Sequence, residues 1–153
     1  MKKTISFIVL ILWMIVIFSF SSADANKSTG TSDKVITTMI EIKDKITNNE
    51  TPNNEKEIIV KNSSFYIRKI AHITEYLILG FLTFNLLKQY SVTNIYYAIG
   101  LSILYSCTDE FHQLFINGRS GSFRDVLIDA IGILLGTYLY KILVIKKKKV
   151  NKI

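Results

Sequence analysis

Four apolar stretches, residues 5–20, 67–87, 94–107 and 126–145, set what this chain can fold into. Each is about 15 to 21 residues long, against the roughly 20 that a helix needs to cross a hydrocarbon core of about 30 Å. Because a backbone in lipid must satisfy its own hydrogen bonds, such stretches become helices. The expected fold is therefore all-α, a polytopic membrane bundle of about four transmembrane helices. Composition agrees, since 153 residues with 49% hydrophobic content and a positive mean hydropathy exceed what one soluble domain needs. The third stretch is the shortest, with room to extend helically through Asp109 toward Gln113.

The chain reads as a single domain, 1–153, made of a first helix (1–22), a polar extracytoplasmic loop (23–64), a three-helix core (65–145) and a basic cytoplasmic tail (146–153). Net charge is +7, but Lys2, Lys3 and Lys146 to Lys149 lie outside the apolar runs and without interleaved aromatics. That pattern suits a bilayer surface and argues against nucleic acid. By the positive-inside rule it places both termini in the cytoplasm, with Lys88 in agreement and Lys61, Arg68, Lys69 and Arg119 on the opposite side. The lone cysteine, Cys107, excludes an internal disulfide and a thiolate metal cage, and is expected to be a small packed side chain.

The first stretch has a rival reading as a signal peptide cleaved near Ala23, Asp24, Ala25, but its apolar run is long for that and favours a retained anchor. The loop that follows is rich in Asn, Ser, Thr and Lys and holds the only proline, Pro52. Within it Val35, Ile36, Met39, Ile40 and Ile46 recur at near-helical spacing behind a candidate cap at Ser32. They predict a short amphipathic helix, lying on the outer membrane surface or roofing a polar site.

Residues three, four or seven positions apart share a helix face. Arg68, His72 and Glu75 do so in the second stretch; Ser102, Ser106, Asp109 and Gln113 in the third, with Tyr105 and His112 beside them; and Ser122, Asp125, Asp129, Gly132 and Gly136 in the fourth. Three helices thus present polar stripes at the same membrane end. Charges in lipid are expensive, so the stripes should face one another. Gly132 and Gly136 form a small-xxx-small step that admits close helix approach.

The runs Arg68-Lys69-Ile70-Ala71-His72-Ile73-Thr74-Glu75-Tyr76, Thr108-Asp109-Glu110-Phe111-His112-Gln113, Gly118-Arg119-Ser120-Gly121-Ser122 and Asp125 to Gly132 resemble the VanZ family of membrane proteins. Phe18-Ser19-Phe20-Ser21-Ser22 is similar to that family's first-helix motif, although Ala23 stands where the family often has glutamine and the loop after it is long. The resemblance implies a small multi-pass protein of the cytoplasmic membrane, associated with reduced susceptibility to glycopeptide antibiotics, notably teicoplanin. It implies little mechanism.

For chemistry the candidates are Arg68, His72, Glu75, Asp109, Glu110, His112, Gln113, Arg119, Asp125 and Asp129. His72 or His112 with a carboxylate can form a general base, and the arginines can hold a phosphate by paired hydrogen bonds. The same histidines with Glu75, Asp109 or Glu110 offer mixed nitrogen and oxygen ligands to a divalent metal, though no spacing such as HExxH supports one, and the cofactor question stays open. An enzyme acting outside the membrane on an envelope lipid or wall precursor is one reading. A non-catalytic binder or assembly factor that captures a glycopeptide or a lipid-linked precursor, its charges only holding the bundle together, is another. A permeation pathway fits less well, because the charges gather at one end. Ser122 is better explained as a helix cap than as a nucleophile, and Trp13, Tyr96, Tyr97, Tyr138 and Tyr140 as interfacial or packing aromatics.

Overall fold

A computed structural model describes residues 2–150, with side chains described as far as Leu143. Of the expected basic tail, residues 151–153 and the lysine side chains lie outside the described residues. Five helices follow in order: α1 (Lys2–Ser21), α2 (Ala25–Thr47), α3 (Asn53–Gln89), α4 (Ile95–Gln113) and α5 (Phe123–Val150), with no strand among the described residues. Three of them, α1, α3 and the Phe123–Leu143 part of α5, are long and apolar enough to cross a membrane. The fourth expected segment is α4, which does run on through Asp109 to Gln113.

α3 is the axis of the molecule and touches each of the other four helices. At 37 residues it is about 55 Å long, well beyond a hydrocarbon core of about 30 Å, so its first turns extend past the apolar stretch. There α2 folds back along it. The amphipathic helix expected within 23–64 is present but spans 23 residues, beginning at Ala25 and not behind Ser32. Ser32 is buried inside it, as are Ile36 and Ile40, while Val35, Met39 and Ile46 are exposed. Asn and Ser weaken a helix only slightly, and the Ile36–Ile40 face packed on α3 outweighs that. The turn between α2 and α3 is closed by Asn48, left-handed at φ 48°, and by the Thr51 amide bonded to Asp44.

The remaining helix starts follow local chemistry. Asn94 Oδ1 accepts the Tyr96 amide at 3.0 Å and caps α4, and Ser122 Oγ accepts the Arg124 amide at 3.2 Å to cap α5, as the sequence indicated. Along the α3–α5 seam the small-xxx-small step works as expected. A Cβ on Gly132 would collide with the Ile73 carbonyl and one on Gly136 with that of Leu77. Gly80 answers from α3, where a Cβ would lie 2.6 Å from the Ile133 carbonyl oxygen. Tyr76, Leu79 and Ile133 pack with Leu10 and Ile17 of α1 beneath the polar end.

Candidate functional site

The α4 stripe is buried along its whole length, Ser102, Ser106, Asp109 and Gln113 included, and Glu110 is buried with it. One helical turn of geometry explains this, because the positions face α3 and α5 and turn Leu104 and Cys107 outward. Cys107 is therefore exposed and not packed as expected. Facing the stripe from α5 is Asp129, fully buried, whose Oδ2 accepts a 2.7 Å hydrogen bond from Ser106 Oγ. From α3, His72 brings its Nδ1 to 3.5 Å from Asp129 Oδ1. His72, Glu110 and Asp129 each place one ligand-capable atom within 4.8 Å of the other two.

A second layer fixes these groups. The Ser122 amide donates to Glu110 Oε2 at 2.9 Å, and Gln113 Nε2 donates to both Asp109 Oδ2 and Glu110 Oε1 at 3.3 Å. Gly121 makes that approach possible, since a Cβ there would strike the Glu110 carbonyl. Arg119 donates to Gln113 Oε1, to the Ala23 carbonyl at 2.8 Å and to the Phe20 carbonyl at 3.0 Å. Its guanidinium thus closes the end of α1, whose last carbonyls have no helical partner. Burial lowers the Arg119 pKa from the ordinary arginine value, with Asp109 and Glu110 opposing that shift.

Two cavities open on this cluster. One of about 430 Å³ is lined by Lys27, Arg68, His72, Glu75, Asp109 and Arg119, together with apolar Phe20, Ala23 and Ala71. The other, about 220 Å³, is bounded by Arg68, Lys69, His72, Arg119 and Asp125. Arg68, His72 and Arg119 border both. α2 contributes Lys27 and Ser32 to the larger cavity, so the amphipathic helix roofs the polar site.

Five of the ten residues expected from the sequence, Arg68, His72, Glu75, Asp109 and Arg119, thus line the larger cavity, and Glu110, Gln113 and Asp129 stand directly against them. Asp125 is held by Lys69 in a 2.5 Å ion pair. His112 is set apart, stacked on Phe18 with ring centroids 4.5 Å apart and bonded to Ser22 Oγ at 3.1 Å. Several participants were missing from that expectation. Ser21 brings the end of α1 to the larger cavity, and Trp13 Nε1 donates to the Glu75 carbonyl at 3.0 Å. Tyr76, fully buried, stands four residues after His72, so helical spacing did contain its signal. Six buried side-chain polar atoms have no hydrogen-bond partner among the described residues, and five are here: Ser21 Oγ, His72 Nδ1, Tyr76 OH, Asp109 Oδ1 and Asp129 Oδ1.

A model of the VanZ/LLP1 family matches residues 6–144, a span that includes every residue named above at this site. The chain belongs to the VanZ/LLP1 family. Family and apolar helices together make it a membrane-associated protein. No curated protein and no solved structure matches the chain.

Proposed function

We propose that this VanZ/LLP1 protein lowers susceptibility to glycopeptide antibiotics, teicoplanin among them, by acting on an envelope lipid or lipid-linked wall precursor in the larger cavity. The observation that carries the reading is the lining of that cavity, where cations and carboxylates meet an apolar wall. Arg68 spends one of its five N–H donors on Thr29 Oγ1, at 3.0 Å, and keeps the rest for an anion such as a phosphate headgroup. Lys27 adds a second positive charge from α2, while Phe20, Ala23 and Ala71 offer a surface for the start of a lipid chain. Glu75 and Asp109 supply carboxylates at proton-transfer positions beside the headgroup, and His72 joins the cavity to the buried cluster behind it. With Lys2 and Lys3 at the start and Lys146 to Lys149 at the end in the cytoplasm, α1 is a retained anchor, α4 is a fourth crossing and the cavity faces outward.

The competing reading, a non-catalytic binder whose charges hold the bundle together, draws on Arg119 and on the Lys69–Asp125 pair, both of which are spent on protein groups. Teicoplanin susceptibility of a sensitive Gram-positive host separates the two, with membrane levels matched by immunoblot. The wild-type chain should protect, and Arg68→Ala and Asp109→Asn should not. Protection by both variants at wild-type strength would refute a working cavity and leave the binder.

A further inference from the structure

We propose that His72, Glu110 and Asp129 bind a divalent transition-metal cation, Zn²⁺ by the chemistry of the set, between α3, α4 and α5. The inference stands on the buried cluster and is independent of which ligand the cavity takes.

Charge is the first argument. Asp129 is fully buried and Glu110 nearly so, yet no lysine or arginine pairs with either carboxylate among the described residues. Lys69 is committed to Asp125, and Arg119 to Gln113 and to the Phe20 and Ala23 carbonyls. Two carboxylates enclosed in an apolar bundle are costly without a compensating charge, and a dication between them supplies it.

Geometry is the second argument. Asp129 Oδ1 and His72 Nδ1 are both buried and both without a hydrogen-bond partner, and they lie 3.5 Å apart. That is long for a hydrogen bond between nitrogen and oxygen. It is close to the edge of a tetrahedron with metal bonds of 2.0–2.1 Å, which is about 3.4 Å. Glu110 completes a set whose donor atoms fall within 4.8 Å of one another and come from three helices, so the site exists only in the assembled bundle.

The surroundings complete the case. Ser106 Oγ holds Asp129 Oδ2 and leaves Oδ1 unpartnered, while the Ser122 amide and Gln113 Nε2 hold the two oxygens of Glu110 in place beside it. Outer bonds of this kind orient metal ligands and fix their lone pairs. One imidazole with two carboxylates suits Zn²⁺ or Mn²⁺ better than a soft ion, and three protein ligands leave a coordination position open. Of the three, His72 alone borders the cavities, so the ion belongs to their wall.

The test uses the full chain carrying Cys107→Ser, which removes the only thiol, purified in detergent with a tag free of histidine and stripped with EDTA. Titrated Co²⁺ should saturate at one ion per chain, give the visible absorption of a nitrogen- and oxygen-ligated site, and be displaced by Zn²⁺. Asp129→Asn and Glu110→Gln, nearly isosteric and checked for monodispersity, should each weaken cobalt binding at least tenfold. His112→Gln should leave it within twofold. Because an ion bound only to the folded state raises stability, Zn²⁺ should also raise the melting temperature of the parent chain and not that of Asp129→Asn. No stoichiometric cobalt signal in the parent chain, or undiminished binding in both variants, would overturn the site and leave three groups sharing protons. Neither result depends on antibiotic susceptibility.

Discussion

The two ends of the bundle are built from the same helices and solve the problem of burying polar groups differently. At the end away from the cavities the groups are neutral and partner one another: Ser6 of α1 accepts from Asn85 and Gln89 of α3, Tyr140 of α5 donates to Asn85, and Ser102 of α4 donates to Thr83. One atom there, Gln89 Oε1, lacks a partner. At the cavity end four carboxylates, two arginines and a histidine crowd together and five buried atoms lack partners. Neutral interhelical hydrogen bonds are worth about 0.6 kcal/mol each in membranes and suffice to register helices. The far end therefore shows that this fold can be glued without charge, and the charged end requires another reason to exist.

The harshest way to test that contrast is to disturb what both ends share. Gly136→Leu drives a side chain into the Leu77 carbonyl, and overpacking at a rigid backbone costs about 3 kcal/mol or more. We expect loss of monodisperse protein and of protection together, read by gel filtration and susceptibility. A folded, protective variant would mean that the seam is not the common frame.

A finer comparison uses two serines one turn apart on α4. Ser106 is fully buried and donates to Asp129 at 2.7 Å, whereas Ser102, also buried, donates to the Thr83 hydroxyl at 3.3 Å. Hydrogen bonds to charged acceptors are worth about 1.5–3 kcal/mol, against roughly 0.6 kcal/mol for the neutral membrane pair. In metal-free protein, reversible unfolding in mixed micelles should show Ser106→Ala costing at least twice as much as Ser102→Ala. Equal costs would dissolve the electrostatic difference between the ends.

What the sequence made legible follows from period. Apolar length exposed the membrane helices, and three-to-four spacing put Ser102, Ser106, Asp109 and Gln113 on one buried face and glycines on the α3–α5 seam. What it hid lacks a side-chain period. Arg119 is fixed by the carbonyls of Phe20 and Ala23, and backbone acceptors leave no trace in residue type. α1 enters the site through Ser21 at its last turn, beyond a run apolar on every side. His72 and His112 read alike in composition, and only the packing of α1 against α4 sends His112 to Phe18 and Ser22. Within 23–64 only a short amphipathic helix was legible, because polar content masks the start of α2 at Ala25 and the first turns of α3 from Asn53.

Asp44, at the α2–α3 turn outside the candidate membrane spans, gives the smallest effect and a control for the whole contrast. Unlike Asp109 and Asp129, it has both oxygens partnered: Oδ1 accepts from Thr51 Oγ1 at 2.6 Å, and Oδ2 accepts from the Thr51 amide at 3.0 Å and lies 3.4 Å from Lys56. The Thr51 side-chain bond first, then its amide, hold the Asp44 carboxyl below its ordinary value of 3.8. A depressed folded-state pKa stabilises the folded form above the unfolded value, and the contribution fades as pH falls below 3.8 and through the folded value. Hydrogen exchange at the Thr51 amide, corrected for intrinsic rates, should therefore stay protected above pH 3.8 and lose protection only as pH falls below it, whereas Asp44→Asn should show low protection on both sides. Unchanged protection in the parent chain would assign the turn to Asn48 and Pro52 alone. The turn would then no longer show that a fully partnered carboxylate in this molecule acts as a structural clasp, and the orphan oxygens at the cavity end would lose their point of reference.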